Sequence, residues 1–472
     1  VGSEMCIRDR CLFLLFAVPI LCTAQTRDIH PESTVPSVWP EDSLFQQQLP
    51  VNDVWWKVFH DTTLDSLIQV AVVQNNSAIK AIHQMDMARL NWRMQQGKFF
   101  PTLSLNGGWN RQKSSGNSTG QPEAWVGYWD AAVSMNWEVD VFGSIRLRAK
   151  AQKENFVASQ EEYNATMISL CAQVAIAYFN LRQYQQELEV LQHNSASQKQ
   201  VVDITQVRYQ TGLASKLDVA QAKSVYYSTL ASIPSVEAGI IQSVNSLAVL
   251  IGVYPDDIRA MLSTPKPLPD YVEAVGIGLP ANLLRRRPDI RGAERVIRAQ
   301  AATLGASRAD LLPKFSLNGS IGYAAHETRD LTKRKSMTWQ LAPSMTWTFF
   351  SGGQLYNANR LARIQLDEAI NQYNQTVLTA VQEVDDAMAA YSNSIKQAVA
   401  LREVIYQGRE TLKLSLDLYK QGLSPFQNVL DAQRSLLSFE NSMVQAKGYS
   451  LICLVKMYQA LGGGWNDFSG GL

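Results

Sequence analysis

Few residues in this chain have the types and spacing that catalysis or metal binding requires. The five histidines are scattered along the chain, and none has the spacing of a metal site or a catalytic triad; they are His30, His60, His83, His193 and His326. The sequence contains no phosphate-binding loop and no nucleophile motif. We therefore predict no catalytic residue, no metal site and no cofactor.

Two charged clusters are better interpreted as structural than as binding sites. Pro288 and Asp289 favour the start of a helix, so the preceding run Arg285-Arg286-Arg287 is expected to be solvated or paired in a linker rather than to bind an anion. The second cluster is formed by the carboxylates of Glu383, Asp385 and Asp386. They are expected on a solvent-exposed helix face or lining a lumen rather than in a metal site.

Charge and cysteine content also narrow the possible functions. The formal net charge is +1, which gives no reason to expect nucleic acid or anionic lipid as the main partner. Three cysteines lie near the N-terminus, and Cys171 and Cys453 do not occupy equivalent positions, so no disulfide framework is predicted.

The hydrophobic pattern changes sharply near residue 143. Residues 129–140 alternate between apolar and polar side chains, which predicts a strand with one apolar and one polar face. Residues 145–211 then contain no Gly or Pro and place apolar side chains about every 3.5 residues, the period of a coiled coil. We expect Gly212 to end this helix and Ser215, with Asp218, to cap the next.

The same unit occurs twice in the chain. At an offset of 210, Gly212 matches Gly422 and Trp137 matches Trp347; further upstream the offset is 212. Cys171 aligns with Val381, so we interpret it as a small core residue rather than a reactive thiol. Each half is predicted to contain a helix, two strands, a long helix, a turn and a returning helix.

The predicted boundaries follow from this duplication. Residues 61–254 form the first repeat, residues 291–465 the second, and residues 255–290 a proline-containing linker. Strands are predicted near 101–112, 128–140, 314–324 and 337–350. Helices are predicted at 64–96, 145–211, 216–252, about 354–421 and 425–462, with tips at 212–215 and 422–425. At the second tip, Ser424 is expected to cap, Pro425 to occupy the first helical position and Gln427 to complete a capping box.

The N-terminal segment has the pattern of a secretory leader. Arg8 and Arg10 precede an apolar run that is too short to span a bilayer, which predicts a signal peptide over residues 1–24. Cleavage after Ala24 and lipidation of Cys22 are both open. Residues 25–60 are expected to form an extended arm and 466–472 a tail. We expect no later segment apolar enough for a transmembrane helix.

Four strands of transmembrane length cannot close a barrel alone, and lipid does not tolerate open sheet edges. A dimer would supply eight strands and a trimer twelve, and copies would also cover the apolar helix seams. The alternative is a helical bundle with incidental hairpins. The strand side chains expected to face lipid are Trp129, Val133, Trp137, Phe315, Leu317, Trp339 and Trp347.

Two longer motifs carry a family resemblance. Residues 54–64 (VWWKVFHDTTL) and 279–290 (LPANLLRRRPDI), the latter continuing through Ala293-Glu294 to Leu304-Gly305, resemble the TolC-like outer membrane factors of resistance–nodulation–division (RND) efflux pumps. The resemblance implies a homotrimer with a twelve-stranded outer-membrane β-barrel continuous with a periplasmic α-helical barrel. It also implies a periplasmic adaptor and an inner-membrane RND pump as partners, so the predicted function is a passive exit duct and not an enzyme.

Two other functions stay open at this point. The first is a TolC-like duct of a type I protein secretion system, against which the Arg-Arg-Arg-Pro-Asp linker argues. The second is a periplasmic structural coiled-coil protein. The exported substrate is not specified by any feature of the sequence.

The resemblance also assigns roles to residues near the tips. The tips are implied to dock the adaptor through Gly212, Leu213, Ser215, Gly422, Leu423, Ser424 and Pro425. Family carboxylates just past the second tip narrow the periplasmic end, and this pattern aligns with Asn428 and Asp431. Asn428 lacks the second acid found in some members. The alternative for Asp431 is a simple pair with Arg434.

Overall fold

The structure is a computed structural model that describes Trp39, Phe45–Gln46 and residues 54–113, 125–270, 275–278 and 286–464. The predicted leader, Cys22, Arg285, most of the motif at 279–290 and the tail at 466–472 lie outside these residues, as does most of the predicted arm.

The described chain is built from long helices and two small sheets. The helices are α1 (Thr62–Gln74), α2 (Asn76–Gly97), α3 (Ser144–Gln210), α4 (Lys216–Ile251), α5 (Pro255–Leu262), α6 (Pro288–Ala309), α7 (Gln354–Lys420) and α8 (Phe426–Ala460). The strands are β1 (Phe45–Gln46), β2 (Thr102–Lys113), β3 (Trp125–Val139), β4 (Val275–Gly276), β5 (Lys314–Ala325) and β6 (Met337–Thr346).

Two segments differ from the sequence expectation. The helix predicted over 64–96 is interrupted at Asn75, whose extended backbone separates α1 from α2 while its side chain accepts from the backbone N–H groups of Ser77 and Ala78. The linker contains the short helix α5, which begins at Pro255. In both places a helix restarts at a residue that suits a first turn.

The larger sheet has four antiparallel strands in the order β2-β3-β5-β6. Trp129 lies opposite both Trp109 and Ala325, and Trp137 lies opposite Leu317, so the two hairpins share one continuous register. β2 and β6 each have a partner on one side only among the described strands. The smaller sheet pairs β1 with β4 in parallel.

The coiled-coil period correctly marks the buried side of the long helices. In α3, Leu170, Val174, Tyr178, Leu181 and Leu191 are buried, and the helix packs against α2, α4, α6 and α8. Cys171 is 1% exposed, and burial raises the pKa of its thiol to about 12. This thiol is therefore a packed core group.

The expectation that no later segment is apolar enough to cross a membrane was wrong. By length and composition, α3 and α4 both reach that level. In α3, 61% of the most apolar stretch is buried within the described structure, so much of its apolar character is used in helix packing. In α4 the corresponding share is 33%.

In each repeat, a side chain near the start donates a hydrogen bond to a backbone carbonyl near the end, and the two donors are equivalent residues. Asn75 donates from Nδ2 to the carbonyl of Leu250 (2.6 Å), and Arg287, 212 positions later, donates from Nη1 to the carbonyl of Ala460 (2.9 Å). Each acceptor lies in the last turn of a returning helix, two residues before a left-handed glycine. These contacts, which we call the latches, join the start of each repeat to its end.

The second latch also accounts for the arginine cluster. The Arg287 guanidinium binds both carboxylate oxygens of Asp289 (3.0 and 2.7 Å) and one oxygen of Glu383 (2.7 Å). Burial disfavours the charged form, but Asp289 and Glu383 outweigh it and raise the pKa of Arg287 above its ordinary value. Arg287 is thus paired, as expected, although one partner lies on α7 and not in the linker.

The N-terminal motif is buried against the helices. Trp55 stacks on Tyr458 with ring centroids 5.6 Å apart, and Phe59 meets Phe179 edge-on at 4.8 Å. Asp61 caps α1 and accepts hydrogen bonds from the Tyr178 hydroxyl and from Lys266 Nζ, the latter at 3.0 Å. Residues 55–61 are therefore bound to α3, to α8 and to the linker.

Candidate functional site: a polar strand face and two helical tips

One face of the four-stranded sheet is lined by small amides and hydroxyls. Asn136 donates to Asn318 (2.6 Å), and Asn318 donates to Ser344 (3.3 Å), so one row of bonds crosses three strands. A second pair, Asn106 and Ser134, bonds at 2.7 Å. Asp130, Glu138 and Lys314 lie on the same face. Such a face binds water well and offers solutes many weak, mostly uncharged contacts, which suits the wall of a water-filled channel.

The opposite face is apolar and exposed. The register places six of the seven residues expected to face lipid on this side, and the seventh, Trp347, directly follows β6. Trp339 and Trp347 expose 74% and 55% of their surface. Near the helical end of the sheet, the indoles of Trp137 and Trp347 donate to the carbonyls of Phe99 (2.9 Å) and Leu311 (3.1 Å). These acceptors are also equivalent between repeats.

Both tips contain the glycine-based helix end that the sequence predicts. Gly212 and Gly422 have φ of 74° and 77°. The N–H groups of Leu213 and Leu423 donate to the carbonyls five residues earlier, at 2.7 and 2.9 Å. This is the Schellman arrangement, in which the residue after the glycine often packs against the preceding helix. Here both leucines remain exposed, at 66% and 72%.

The two tips are capped differently. Ser215 accepts from the backbone N–H of Asp218 at 3.1 Å, as expected. The expected capping box at the second tip was wrong, because α8 begins at Phe426 after Pro425 and has no side-chain cap. Ser424 Oγ instead accepts from Asn428 Nδ2 (2.9 Å), and the Gln427 amide donates to the carboxylate of Asp431 (2.9 Å).

Asn428 and Asp431 lie together beside a groove of about 630 Å³ between α7 and α8. Both side chains are exposed. Within the described chain, Asp431 forms no ion pair with Arg434 and instead accepts from Gln427. The carboxylate is therefore accessible just past the second tip.

Sequence reasoning missed the contacts that join the two tips. Arg208 of α3 donates to the carbonyl of Lys420 (2.7 Å) and lies 4.9 Å from the ring of Tyr419. The Tyr419 hydroxyl donates to Asp218 (3.3 Å). In the sequence, these contacts are indicated only by Arg208, one turn before the predicted helix end. A cation is favourable at any helix C-terminus, so its presence does not identify a partner.

A second missed cluster lies further from the tips. Glu440 is 8% exposed and accepts from Asn194 (2.7 Å) and from Arg409 (2.8 and 3.2 Å). It thereby joins α3, α7 and α8. Among the described residues, no group of three or more His, Cys, Asp and Glu side chains is arranged to hold a metal ion.

Comparison with known proteins agrees with this geometry. The family model described as Outer membrane efflux protein matches residues 67–253 and 279–463. The chain is 30% identical over 448 residues to the toluene efflux pump outer membrane protein TtgC of Pseudomonas putida, covering 93% of this chain and 92% of the relative. It is 29% identical to the outer membrane protein OprJ of Pseudomonas aeruginosa, covering 96% and 95%.

Solved structures give the same result. The outer-membrane channel OprN superposes with a TM-score of 0.87 at 28% identity, covering 91% of this chain and 97% of that one. The TolC-like fold and outer-membrane location predicted from the motifs are confirmed. The chain belongs to the outer membrane efflux protein family.

Proposed function

We propose that this chain forms, as a homotrimer, a passive duct through which an RND-type pump and its adaptor export small molecules across the outer membrane. The observation that supports this most strongly is the sheet, which has one polar face, one exposed apolar face and, within the described chain, a partner on only one side of β2 and β6. A sheet of this kind is stable in lipid only when its edges are closed.

Closure by three copies is testable directly. Three four-stranded sheets make a twelve-stranded barrel, whose size leaves room for a water-filled lumen. Cross-linking of the detergent-purified protein should yield trimers that dissociate on heating. A monodisperse monomer that retains its strand content would rule out the duct.

The proposed cargo is a broad class of small solutes rather than one ligand. The polar strand face carries mainly Asn, Ser, Thr and Gln side chains, which form weak contacts and no cage for a specific molecule. The relative named for toluene efflux is consistent with small organic molecules. Loss of the chain should therefore sensitise cells to several unrelated compounds together.

The tips are proposed to dock the periplasmic adaptor. Leu213 and Leu423 are exposed although the local motif would allow them to pack, so a partner gains apolar contact there. Leu423→Glu should abolish efflux while the trimer still reaches the outer membrane. Leu423→Met is the matched control, because it keeps an apolar side chain. Full efflux by the glutamate variant at normal protein level would exclude docking through this tip.

The last proposed element is a gate that contains Asp431, with Asn428 on the same helix face. Under three-fold symmetry, three Asp431 carboxylates would lie near the axis and favour cations over anions. Asp431→Asn keeps an acceptor for Gln427 and removes the charge, so it should abolish block by trivalent cations in reconstituted channels. Asp431→Ala should additionally raise resting cation conductance. Unchanged block and conductance in both variants would leave Asp431 as an ordinary surface carboxylate.

A further inference from the structure

A cavity of about 530 Å³ lies where the four-stranded sheet meets the helices. On the sheet side it is lined by four residues that the register places on the polar face, namely Thr102, Asn136, Glu138 and Lys314. The start of α3 forms part of the helical wall. The cavity therefore continues the polar strand face, and its volume is in the range of small-molecule sites.

Cations outnumber carboxylates in the described lining of this cavity. Lys98, Arg148 and Lys314 contribute three positive charges, and Glu138 contributes one negative charge. A second carboxylate, Asp310, binds Arg148 and accepts from Lys314 Nζ at 3.4 Å. These three cations and two carboxylates leave a net charge of +1 in each chain.

The cations keep N–H donors that the two carboxylates do not use. Arg148 and Lys314 retain 48% and 49% of their side-chain surface, and Lys314 Nζ is 3.9 Å from Glu138, near the limit of an ion pair. Lys98, directly after α2, is exposed, and its side chain forms no hydrogen bond or ion pair within the described chain. Donors on three side chains are therefore available to an anion.

The second repeat does not reproduce this charge. The equivalent of Lys98 is the carboxylate Asp310, and the equivalent of Arg148 is Ala358. The excess of cations is therefore a feature of one repeat and not a consequence of the fold. The same cavity also has an apolar surface, because it is lined by Phe100, which is 72% exposed.

This cavity is remote from the carboxylate near the second tip. Arg148 is close to the start of α3, whereas the tip lies beyond its end, and a helix of 67 residues is roughly 100 Å long. Salt screens charges over about 10 Å. The cations at the sheet and Asp431 at the tip therefore act on a solute independently.

We propose that this cavity binds small aromatic carboxylates as they pass through the duct. Lys98, Arg148 and Lys314 hold the carboxylate, and Phe100 contacts the ring. The proposal rests on the proposed function, because it takes the polar strand face to line a water-filled lumen. Arginine can bind a carboxylate through two N–H groups, and a cleft with an excess of one charge concentrates solutes of the opposite charge. A trimer would contain three such sites.

The test is a fluorine NMR titration of the detergent-purified protein with para-(trifluoromethyl)benzoate, after subtraction of the signal change in detergent alone. An exposed cation should contribute about fivefold to affinity, so Lys98→Gln should bind the benzoate about fivefold more weakly and Lys98→Glu about 25-fold. The matched control is Lys150→Gln, which removes the same charge from an exposed position of α3 outside the cavity. It should change affinity less than about twofold.

A neutral ligand separates recognition of the charge from apolar contact. Para-(trifluoromethyl)benzyl alcohol should bind wild type and both Lys98 variants equally, whereas Phe100→Ala should weaken the alcohol and the benzoate by the same factor. Raising the salt concentration should weaken binding of the benzoate to wild type and leave the alcohol unaffected, a comparison that needs no variant to fold.

Unchanged benzoate affinity in both Lys98 variants, or an equal loss for the alcohol, would overturn the site. Cross-linking and single-channel recording of the same variants distinguish this result from failure of the duct. A trimer that conducts normally but shows no dependence on Lys98 would contradict the carboxylate site alone, whereas absence of a trimer in wild type would contradict the proposed function.

Discussion

Replacing Arg287 by methionine tests whether the latches hold the repeats closed. Methionine keeps an unbranched apolar stem and removes all of the guanidinium donors. The variant loses two bonds to Asp289, one to Glu383 and the bond to the carbonyl of Ala460. Of these four bonds, only the one to the Ala460 carbonyl reaches the end of α8.

The expected magnitude follows from the exposure of the partners. Asp289 and Glu383 keep 38% and 47% of their side-chain surface, so water compensates much of their loss. The buried Ala460 carbonyl is not compensated in this way. Together we expect a cost of about 3 kcal/mol, less than the full cost of breaking a buried ion pair. That corresponds to roughly a 100-fold increase in local opening.

Hydrogen–deuterium exchange of the detergent-purified trimer measures this opening locally. Just past α8, the amides of Leu461, Gly462 and Gly463 are bonded to carbonyls of its last turn. Their protection should fall by up to about 100-fold in Arg287→Met. The tips, at the opposite end of α8, should exchange as in wild type.

The duplicated latch supplies the control. Asn75→Asp keeps an acceptor for the N-terminus of α2 and removes the donor to Leu250. It should lower the protection of Gly252 and Val253 at the end of α4 while leaving Leu461–Gly463 unchanged. Arg287→Met should show the reverse pattern. Loss of protection at both sites in either variant, or at neither, would refute the view that each latch acts on its own repeat.

Three further predictions concern buried or half-buried groups. Burial raises the pKa of Asp61, but hydrogen bonds from Tyr178 and other donors lower it more, to below the ordinary 3.8. The ionised Asp61 therefore stabilises the fold above pH 3.8, and this stabilisation is lost as the pH falls through the pKa of the folded state. Asp61→Asn should therefore lower Tm more at pH 7 than at pH 3, and an equal decrease would contradict the argument. Cys171 should resist alkylation at pH 8 until the chain is unfolded, as mass spectrometry of the labelled protein will show. Arg409→Gln should cost about 1–2 kcal/mol, because it leaves Glu440 without its cation although Arg409 is largely exposed, and a double-mutant cycle with Glu440→Gln should recover part of that loss.

Sequence periodicity located the long helices well because their signal is local and repeated. The predicted start at residue 145 and end at 211 compare with Ser144 and Gln210 in the structure. The glycine that ends each long helix was equally visible, since only a residue that tolerates positive φ completes the Schellman arrangement. The two-face pattern of the strands likewise follows from period 2 alone.

The break at Asn75 was not predicted because only part of its cause, the capping of α2, is local. No Gly or Pro marks the position, and the side chain acts partly on a carbonyl 175 residues away. The same reason hides Glu440, whose partner Asn194 is 246 residues distant. A polar side chain in an apolar helical seam indicates that a partner exists, but it does not identify that partner.

The two repeats share what the fold needs and differ where the molecule meets something else. The latches, the tip glycines and the indole anchors near the helical end of the sheet occur in both copies at equivalent positions. Two differences between the copies lie at the ends of the strands and of the long helices. At one end, Arg111 and Lys113 have no basic counterpart in the second repeat. At the tips, the returning helix of the first repeat is capped by Ser215, whereas α8 begins without a side-chain cap. Asp431 is accessible there, beside the groove between α7 and α8. Packing inside the fold constrains both copies, so the contacts that they share are those that the fold requires. Asp431 has Gln221 as its equivalent in the first repeat, so the accessible carboxylate belongs to the second tip alone, which is consistent with the proposed gate there.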